Sequence, residues 1–413
     1  MTTTDRRSFL VQAAGALSVM ALVPEAALAR PSLKAAGTIG IIGAGRHGRA
    51  LMAELQKIDG IKIGALCDVD EGRLQAAVRR APGSEAFADY RAMLDKRADI
   101  TAVIVATPTH LHRQPAVDAL QAGRHVYCET PLAHTVEDAK AIASAARSSK
   151  GVFASALEGR SNPVYQLARG FYRSESVRDL VSMRGHHHRK TNLRVPVPAG
   201  GNERAANWRL DPEISLGLAG EWGVQQFDVF NWYTDMLPKR VYGWGENRAF
   251  KDEGRKVADT IGLDFTFEDG AHMAYEATAC NSYEGRYETL YGTNAAIKLA
   301  WSNAWMFKEA DAPTQGWEVY ARRTQFHTDE AIILIAGATK LAEQGKLEQE
   351  GGKLPYSPQY YALMDFFKCI ETGSTPAATA SDGARSAMMA IAANEAVRKG
   401  GVVEIDVEAM RNV

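Results

Sequence analysis

The chain runs to 413 residues, 46% of them hydrophobic, with 48 basic and 49 acidic side chains and a formal net charge of -1. That length exceeds one ordinary hydrophobic core and suits two domains, and the apolar fraction is enough to bury both, so the protein is expected to be globular. The balanced charge gives no basic field for nucleic acid, and no aromatic-basic interleaving of the single-strand-binding kind is present; a small molecule is the expected ligand.

At the N-terminus, Asp5-Arg6-Arg7-Ser8-Phe9-Leu10 precedes a mildly apolar stretch from Val11 to Val23 and then Ala27-Leu28-Ala29, a small-x-small cleavage pattern. The arrangement resembles a bacterial twin-arginine export signal over residues 1–29, with a linker over 30–37. The apolar stretch falls short of the about 20 residues of a membrane span, so cleavage is expected rather than anchoring. The resemblance implies passage of the folded protein through the twin-arginine translocase to the periplasm.

The run Ile39 to Gly48, IGIIGAGRHG, describes a strand that turns sharply into a helix. Gly43 permits the turn, Gly45 lets a pyrophosphate approach the backbone, and Gly48 allows helix and sheet to pack closely, with Arg46 and His47 at the helix start. Leu51, Met52, Leu55 and Ile58 follow at helical spacing, and a second apolar run, Ile61 to Cys67, ends in Asp68. An acid 20 positions after Gly48 is placed to grip the ribose hydroxyls of NAD and to repel the 2'-phosphate of NADP.

Strand-like and helix-like runs then alternate through Ile100–Ala106, Pro115–Ala122, His125–Glu129, Val136–Ser148 and Val152–Leu157, which predicts a parallel sheet with helices on both faces. Ligands of such sheets bind outside the carboxyl ends of the strands, so Asp68, Thr107, Pro108, His110, His112 and Glu129 are expected to face one crevice. Cys67, Cys128, Cys280 and Cys369 show no metal spacing and read as free thiols. Beyond Glu158 the pattern changes to runs rich in Tyr, Trp, Val and Thr (181–188, 240–244, 260–267, 272–280, 288–292), which predict an antiparallel sheet. Between its first strand and the helix near Gln225, the Pro- and Gly-containing segment Arg189–Glu213 has the length of one that lines or covers a site. The charged stretch 341–353 reads as a solvated helix end and linker, with closing helices near 359–370 and 382–397. The predicted organisation is thus an α/β Rossmann domain over 38–157 and an α+β domain with a large, mostly antiparallel open sheet over 158–413.

The series IGIIGAGRHG, CDVD (67–70), ATPTHLHRQPAVDAL (106–120), AGRHVYCETPLA (122–133), GEWGVQQFDVFNW (220–232) and YALMDFFKCIETGSTP (361–376) resembles the Gfo/Idh/MocA family of glucose-fructose oxidoreductase and inositol dehydrogenase. The resemblance implies NAD, a carbohydrate substrate, and a homodimer or homotetramer formed through the open sheet. It also implies a Glu-Lys-Pro lysine beside the nicotinamide and a histidine or aspartate proton acceptor on the helix near residue 225. This chain has Glu129-Thr130-Pro131, and Gln225 at the histidine position. Neither Thr130 nor Gln225 takes up a proton near neutral pH.

His186 and His188 are one alternative for proton transfer, because they end the second domain's first strand and alternation points them to one face, with His187 on the other. Surface or substrate-binding roles are the other reading. A metal site built on them lacks a clear third ligand, and none is assigned. Asp228 and Glu221 share the Gln225 helix face and present carboxylates either to a sugar or to Arg204 or Arg209, and Trp208 and Tyr283 are candidates for stacking on a sugar ring or for the core. The expected function is oxidation of a carbohydrate secondary alcohol with a tightly held, internally recycled cofactor. A redox-neutral sequence of oxidation, elimination, hydration and reduction that cleaves a glycoside is the alternative, and a non-catalytic nucleotide- and sugar-binding protein is the second.

Overall fold

The computed structural model describes residues 37–197, 200–251, 254–326, 328–336 and 354–413; the segment read as an export signal, most of the segment read as a linker, Pro198 and the charged stretch 341–353 lie outside the described residues. The first sheet has six parallel strands, β1 (Gly37–Ile42), β2 (Ile61–Cys67), β3 (Glu85–Phe87), β4 (Ile100–Val105), β5 (His125–Cys128) and β6 (Phe153–Ser155), in the order β3-β2-β1-β4-β5-β6. Side chains alternate across it. Ile39, Ile41, Ala102, Ile104 and Tyr127 join one buried layer, and Ile42, Val103, Val105, Val126 and Cys128 join the other. This two-sided burial is why these strands read as continuous apolar runs.

The chain later returns to the first sheet. Helix Pro358–Thr372, begun by the Ser357 cap, packs Tyr360, Leu363 and Phe366 into the layer of Ile39 and Leu51, with Phe366 5.7 Å from the Tyr127 ring. Each such large side chain contributes about 1.5–3 kcal/mol on burial. A helix that the sequence order places in the second domain therefore covers a face of the first.

The second sheet has ten strands: β7 (Leu180–His188), β8 (Pro238–Glu246), β9 (Thr260–Phe267), β10 (His272–Thr278), β11 (Arg286–Gly292), β12 (Ala295–Ala300), β13 (Asn303–Lys308), β14 (Arg323–Phe326), β15 (Asp329–Leu334) and β16 (Val402–Glu404). Their order is β14-β15-β13-β12-β11-β7-β10-β9-β8-β16, antiparallel except for the central parallel pair β7/β10. One face is covered by helices: Phe227 of helix Val224–Thr234 meets Phe265 and Tyr275, both at 5.0 Å. The opposite face leaves Tyr242 and Trp244 exposed.

Candidate active site

The carboxyl ends of the parallel strands build a nucleotide cradle. Gly43 has φ +101°, and a Cβ there would stand 2.5 Å from the Ala106 carbonyl, so only glycine turns the chain out of β1. A Cβ on Gly48 would lie 2.0 Å from Gly43 O, whereas one on Gly45 would meet nothing within 4 Å. That open approach faces the start of helix Arg46–Leu55, which no side chain caps, leaving its N–H groups for an anion. Asp68 Oδ2 accepts from Ala44 N (2.8 Å) and Oδ1 from Asp70 N (2.9 Å), which pins the carboxylate at the crevice with a lone pair left on each oxygen for ribose hydroxyls. The Thr107 hydroxyl is buried without a partner, beside Pro108 in the turn after β4. These features fit a dinucleotide.

His112 does not reach into the cradle. Its Nδ1 lies 3.0 Å from Pro131 O and its Nε2 2.9 Å from Thr107 O, so the ring joins the turns after β4 and β5, and burial lowers its pKa. Its place is that of a support for the cofactor-facing turns rather than of a contact.

Thr130 and Gln225 lock onto each other. Gln225 Nε2 donates to Thr130 Oγ1 (2.8 Å) and to Ala156 O (2.6 Å), and its Oε1 accepts from Glu158 N (3.1 Å). The residues standing at the family's lysine and histidine positions form one neutral network that ties the turn after β5 to the turn after β6. No proton is available from it near neutral pH.

Ionisable groups gather beside this network. His47 Nε2 lies 3.0 Å from Glu129 Oε1, and that carboxylate raises the imidazole pKa to about 9. Glu158, 6% exposed, has its pKa raised to about 7, first by burial and then by the negative charge of Glu129. Arg286 and His47 oppose the rise, as does a hydrogen bond from Gln359. Arg286 lies over the Trp301 ring at 3.7 Å with its Nε 3.6 Å from buried Glu288. Glu158 and Arg286 were not singled out in the sequence. The signal for Glu158 was present, since it follows an apolar strand run just as Asp68 and Glu129 do.

The β7 histidines fall on faces opposite to the expectation. His187 stacks on Trp222 (4.4 Å between rings) on the helix-covered side, and burial lowers its pKa to about 3. His186 and His188 turn to the open face, stacked on each other at 4.3 Å, with His186 against Tyr287. Their assignment to proton transfer at the nicotinamide is therefore corrected: a ten-stranded sheet separates them from the helix bearing Gln225. The β7/β10 register sets Glu276 beside His186, and ligand atoms of His186, His188 and Glu276 lie within 4.8 Å of one another. Arg184 already approaches Glu276 at 3.7 Å. Tyr283 is 75% exposed at the turn whose carbonyl meets His188 Nδ1 at 3.1 Å, so no crevice contact supports its stacking role.

Asp228 is also corrected. It is 1% exposed, and both oxygens are engaged by Arg160 (2.8 and 2.9 Å), with Ser386 adding a third bond at 3.0 Å. It is a structural ion pair. Glu221 receives Thr109 Oγ1 at 3.1 Å and approaches Arg209 at 3.8 Å, joining the turn after β4 to the second domain. Trp208, with Arg209 over its ring at 4.4 Å, lies 5.9 Å from His110, whose pKa burial lowers to about 4. The long 189–213 segment thus meets the cofactor-side turn at Trp208.

Residues 38–156 match the family model "Oxidoreductase family, NAD-binding Rossmann fold" and residues 165–298 match "GFO/IDH/MocA C-terminal domain". The chain belongs to the Gfo/Idh/MocA family, as an NAD-binding oxidoreductase. Among its relatives is the levoglucosan dehydrogenase of Pseudarthrobacter phenanthrenivorans, 26% identical over 352 residues, 80% of this chain and 86% of the relative. The glycosyl hydrolase family 109 protein 2 of Shewanella sp. (strain ANA-3) is 33% identical over 162 residues, 32% of this chain and 35% of the relative. A solved levoglucosan dehydrogenase complexed with NADH and L-sorbose shares the fold, with a TM-score of 0.71 at 21% identity over 90% of this chain and 99% of that one.

Proposed function

We propose that this protein is an exported NAD-dependent oxidoreductase that oxidises a secondary alcohol of a sugar or glycoside and recycles a tightly held cofactor in place. The observation that carries the reading is an intact nucleotide cradle, Gly43 to Asp68, opening beside a buried carboxyl group, Glu158. When bound, NAD supplies a hydride acceptor at its nicotinamide C4. The protein's own residues hold the nucleotide through Asp68 and the uncapped helix, close the crevice with Trp208 and Glu221, and tie Thr130 to Gln225. Export follows from Arg6-Arg7 and Ala27-Leu28-Ala29, and delivery of a folded protein explains how a cytoplasmic nucleotide accompanies it. A compartment without a free NAD pool favours recycling in place.

Redox-neutral cleavage of a glycoside is the second reading, favoured by the Thr130–Gln225 lock and by the relative named as a glycosyl hydrolase. A ketone beside the departing group acidifies the intervening C–H, so elimination, hydration and re-reduction follow without net redox change.

The test is a screen of sugars and glycosides against the absorbance of the nucleotide carried by purified protein, with mass spectrometry of the nucleotide released on denaturation. Turnover without added NAD is expected. Accumulating ketone with a second substrate reduced marks an oxidoreductase, and released aglycone without NADH marks the redox-neutral reading. Sugar binding with neither an absorbance change nor any released product contradicts both and leaves a sensor.

A further inference from the structure

The catalytic proton needs an address, because Thr130 and Gln225 occupy the expected positions, bond to each other and do not ionise. The candidate groups read from the sequence are already engaged or turned away. Asp228 is held by Arg160 and Ser386, Glu221 by Thr109 and Arg209, and Glu129 faces His47. His186 and His188 lie across the sheet, and His187 is kept neutral against Trp222 by burial and by the Arg286 charge. Glu158 differs from all of them. It sits at the carboxyl end of the first sheet, just past β6, 6% exposed, with its main-chain N–H bonded to Gln225 Oε1 at 3.1 Å. The amide at the family's histidine position therefore also anchors the Glu158 main chain.

We propose that Glu158 is the catalytic base and acid of this site, taking the hydroxyl proton of the substrate alcohol during oxidation and returning it on reduction. The assignment rests on the oxidoreductase reading above. In the oxidation the carbinol C–H bond breaks with its electron pair leaving as hydride to the cofactor, the O–H proton passes to a Glu158 oxygen, and the carbonyl forms. Reversal restores the alcohol with the same proton.

The surroundings suit a group that changes charge near neutrality. Glu129 from the end of β5 and burial favour the neutral acid. Arg286 from β11, His47 from helix Arg46–Leu55 and Gln359 from helix Pro358–Thr372 favour the carboxylate. Opposed influences from four elements leave the carboxyl close to balance at about 7, which maximises the product of available base and available acid.

The experiment uses the full chain with its own nucleotide and the variants Glu158→Gln and Glu158→Asp. Infrared titration without substrate is the first readout: the wild type should show a carboxyl group titrating near 7 that Glu158→Gln lacks. Stopped-flow absorbance of the bound nicotinamide after sugar addition is the second. Glu158→Gln should lose on the order of 10²–10⁴-fold in kcat with KM nearly unchanged and the nucleotide still bound, and Glu158→Asp should recover part of the rate. An active wild type with an equally active Glu158→Gln, or a titrating carboxyl that survives in that variant, overturns the assignment alone. A wild type inert to every sugar and glycoside overturns the oxidoreductase reading and the assignment with it. Should Glu158→Gln fail to fold, wild-type rates retained by Glu158→Asp with an unshifted pH profile overturn the assignment.

Discussion

The cradle at Gly43–Asp68 and the histidine run at the end of β7 both present dense functional-looking sequence, yet they behave differently. In the cradle, function follows from main-chain shape: a positive φ at Gly43, a close packing at Gly48, an uncapped helix start. In β7, function depends on which sheet face the helices cover. A motif that acts through its backbone is readable locally, and one that acts through side-chain direction needs the rest of the fold.

Breaking the cradle should give the largest effect. Gly43→Ala places a Cβ against the Ala106 carbonyl at 2.5 Å in a backbone region that itself costs about 1–2 kcal/mol for an L residue. The purified variant should carry no nucleotide, as read by mass spectrometry of the denatured protein. Next is Asp228→Asn, which takes from the buried Arg160 guanidinium one of its two close carboxylates among the described residues and leaves Asp382 at 3.2 Å. Breaking a buried pair from one side costs about 3–5 kcal/mol, so the melting temperature should drop while the pH dependence of the surviving activity stays unchanged. A shifted pH profile would return Asp228 to the chemistry.

A subtler change sharpens the contrast between the two regions. Glu129→Gln removes the charge that helps raise Glu158, so the rise of the oxidation rate with pH should move to lower pH than about 7. The same variant should let His47 fall from about 9 toward its ordinary value. Stability carries the same signature with a definite sign. Glu158 is raised from 4.5 to about 7, so its burial destabilises the fold progressively as pH rises through that window and not below it. The melting temperature of Glu158→Gln relative to wild type should therefore climb between about pH 4.5 and about pH 7 and level off above. Smallest of all, Thr130→Val removes one hydrogen-bond partner of Gln225 and should cost about 1 kcal/mol in denaturant unfolding.

Much of the first domain was legible because its strands are buried on both faces and its helices carry apolar spacing. Ile61–Cys67 and Val136–Ser148 coincide with the elements read from sequence. The short strand β3 and helix Tyr90–Lys96 were not read, having too few residues to show a period. Helix Pro163–Arg173 was missed although Asn162 caps it and Pro163 opens it, both ordinary start signals. Strands β12 to β15 went unread, being short strands of mixed polarity.

At the site, the glycines and Asp68 were readable from one local pattern, and Glu158 was readable by the same rule but was passed over. The β7 faces were legible in principle. Met183 and Gly185 share a side with His187, while Ser182 and Arg184 share the side of His186 and His188, so the polar alternation already marked the latter as the open face. Glu276 beside His186 depends on a parallel pairing 90 residues apart, which no local pattern carries.

Assignment of proton transfer to the carboxyl ends of the first sheet, and not to the open face of the second, separates the two regions. It is tested most directly by the pH dependence of the sugar-induced absorbance change of the bound nicotinamide in the double variant His186→Gln with His188→Gln. A profile superimposable on that of the wild type is expected, both rising near pH 7 with rates within about threefold, since a general acid-base group would contribute at least about 10²-fold. A double variant that keeps its nucleotide and its fold but loses the rate by two orders of magnitude or more, or loses the limb near neutrality, would contradict it.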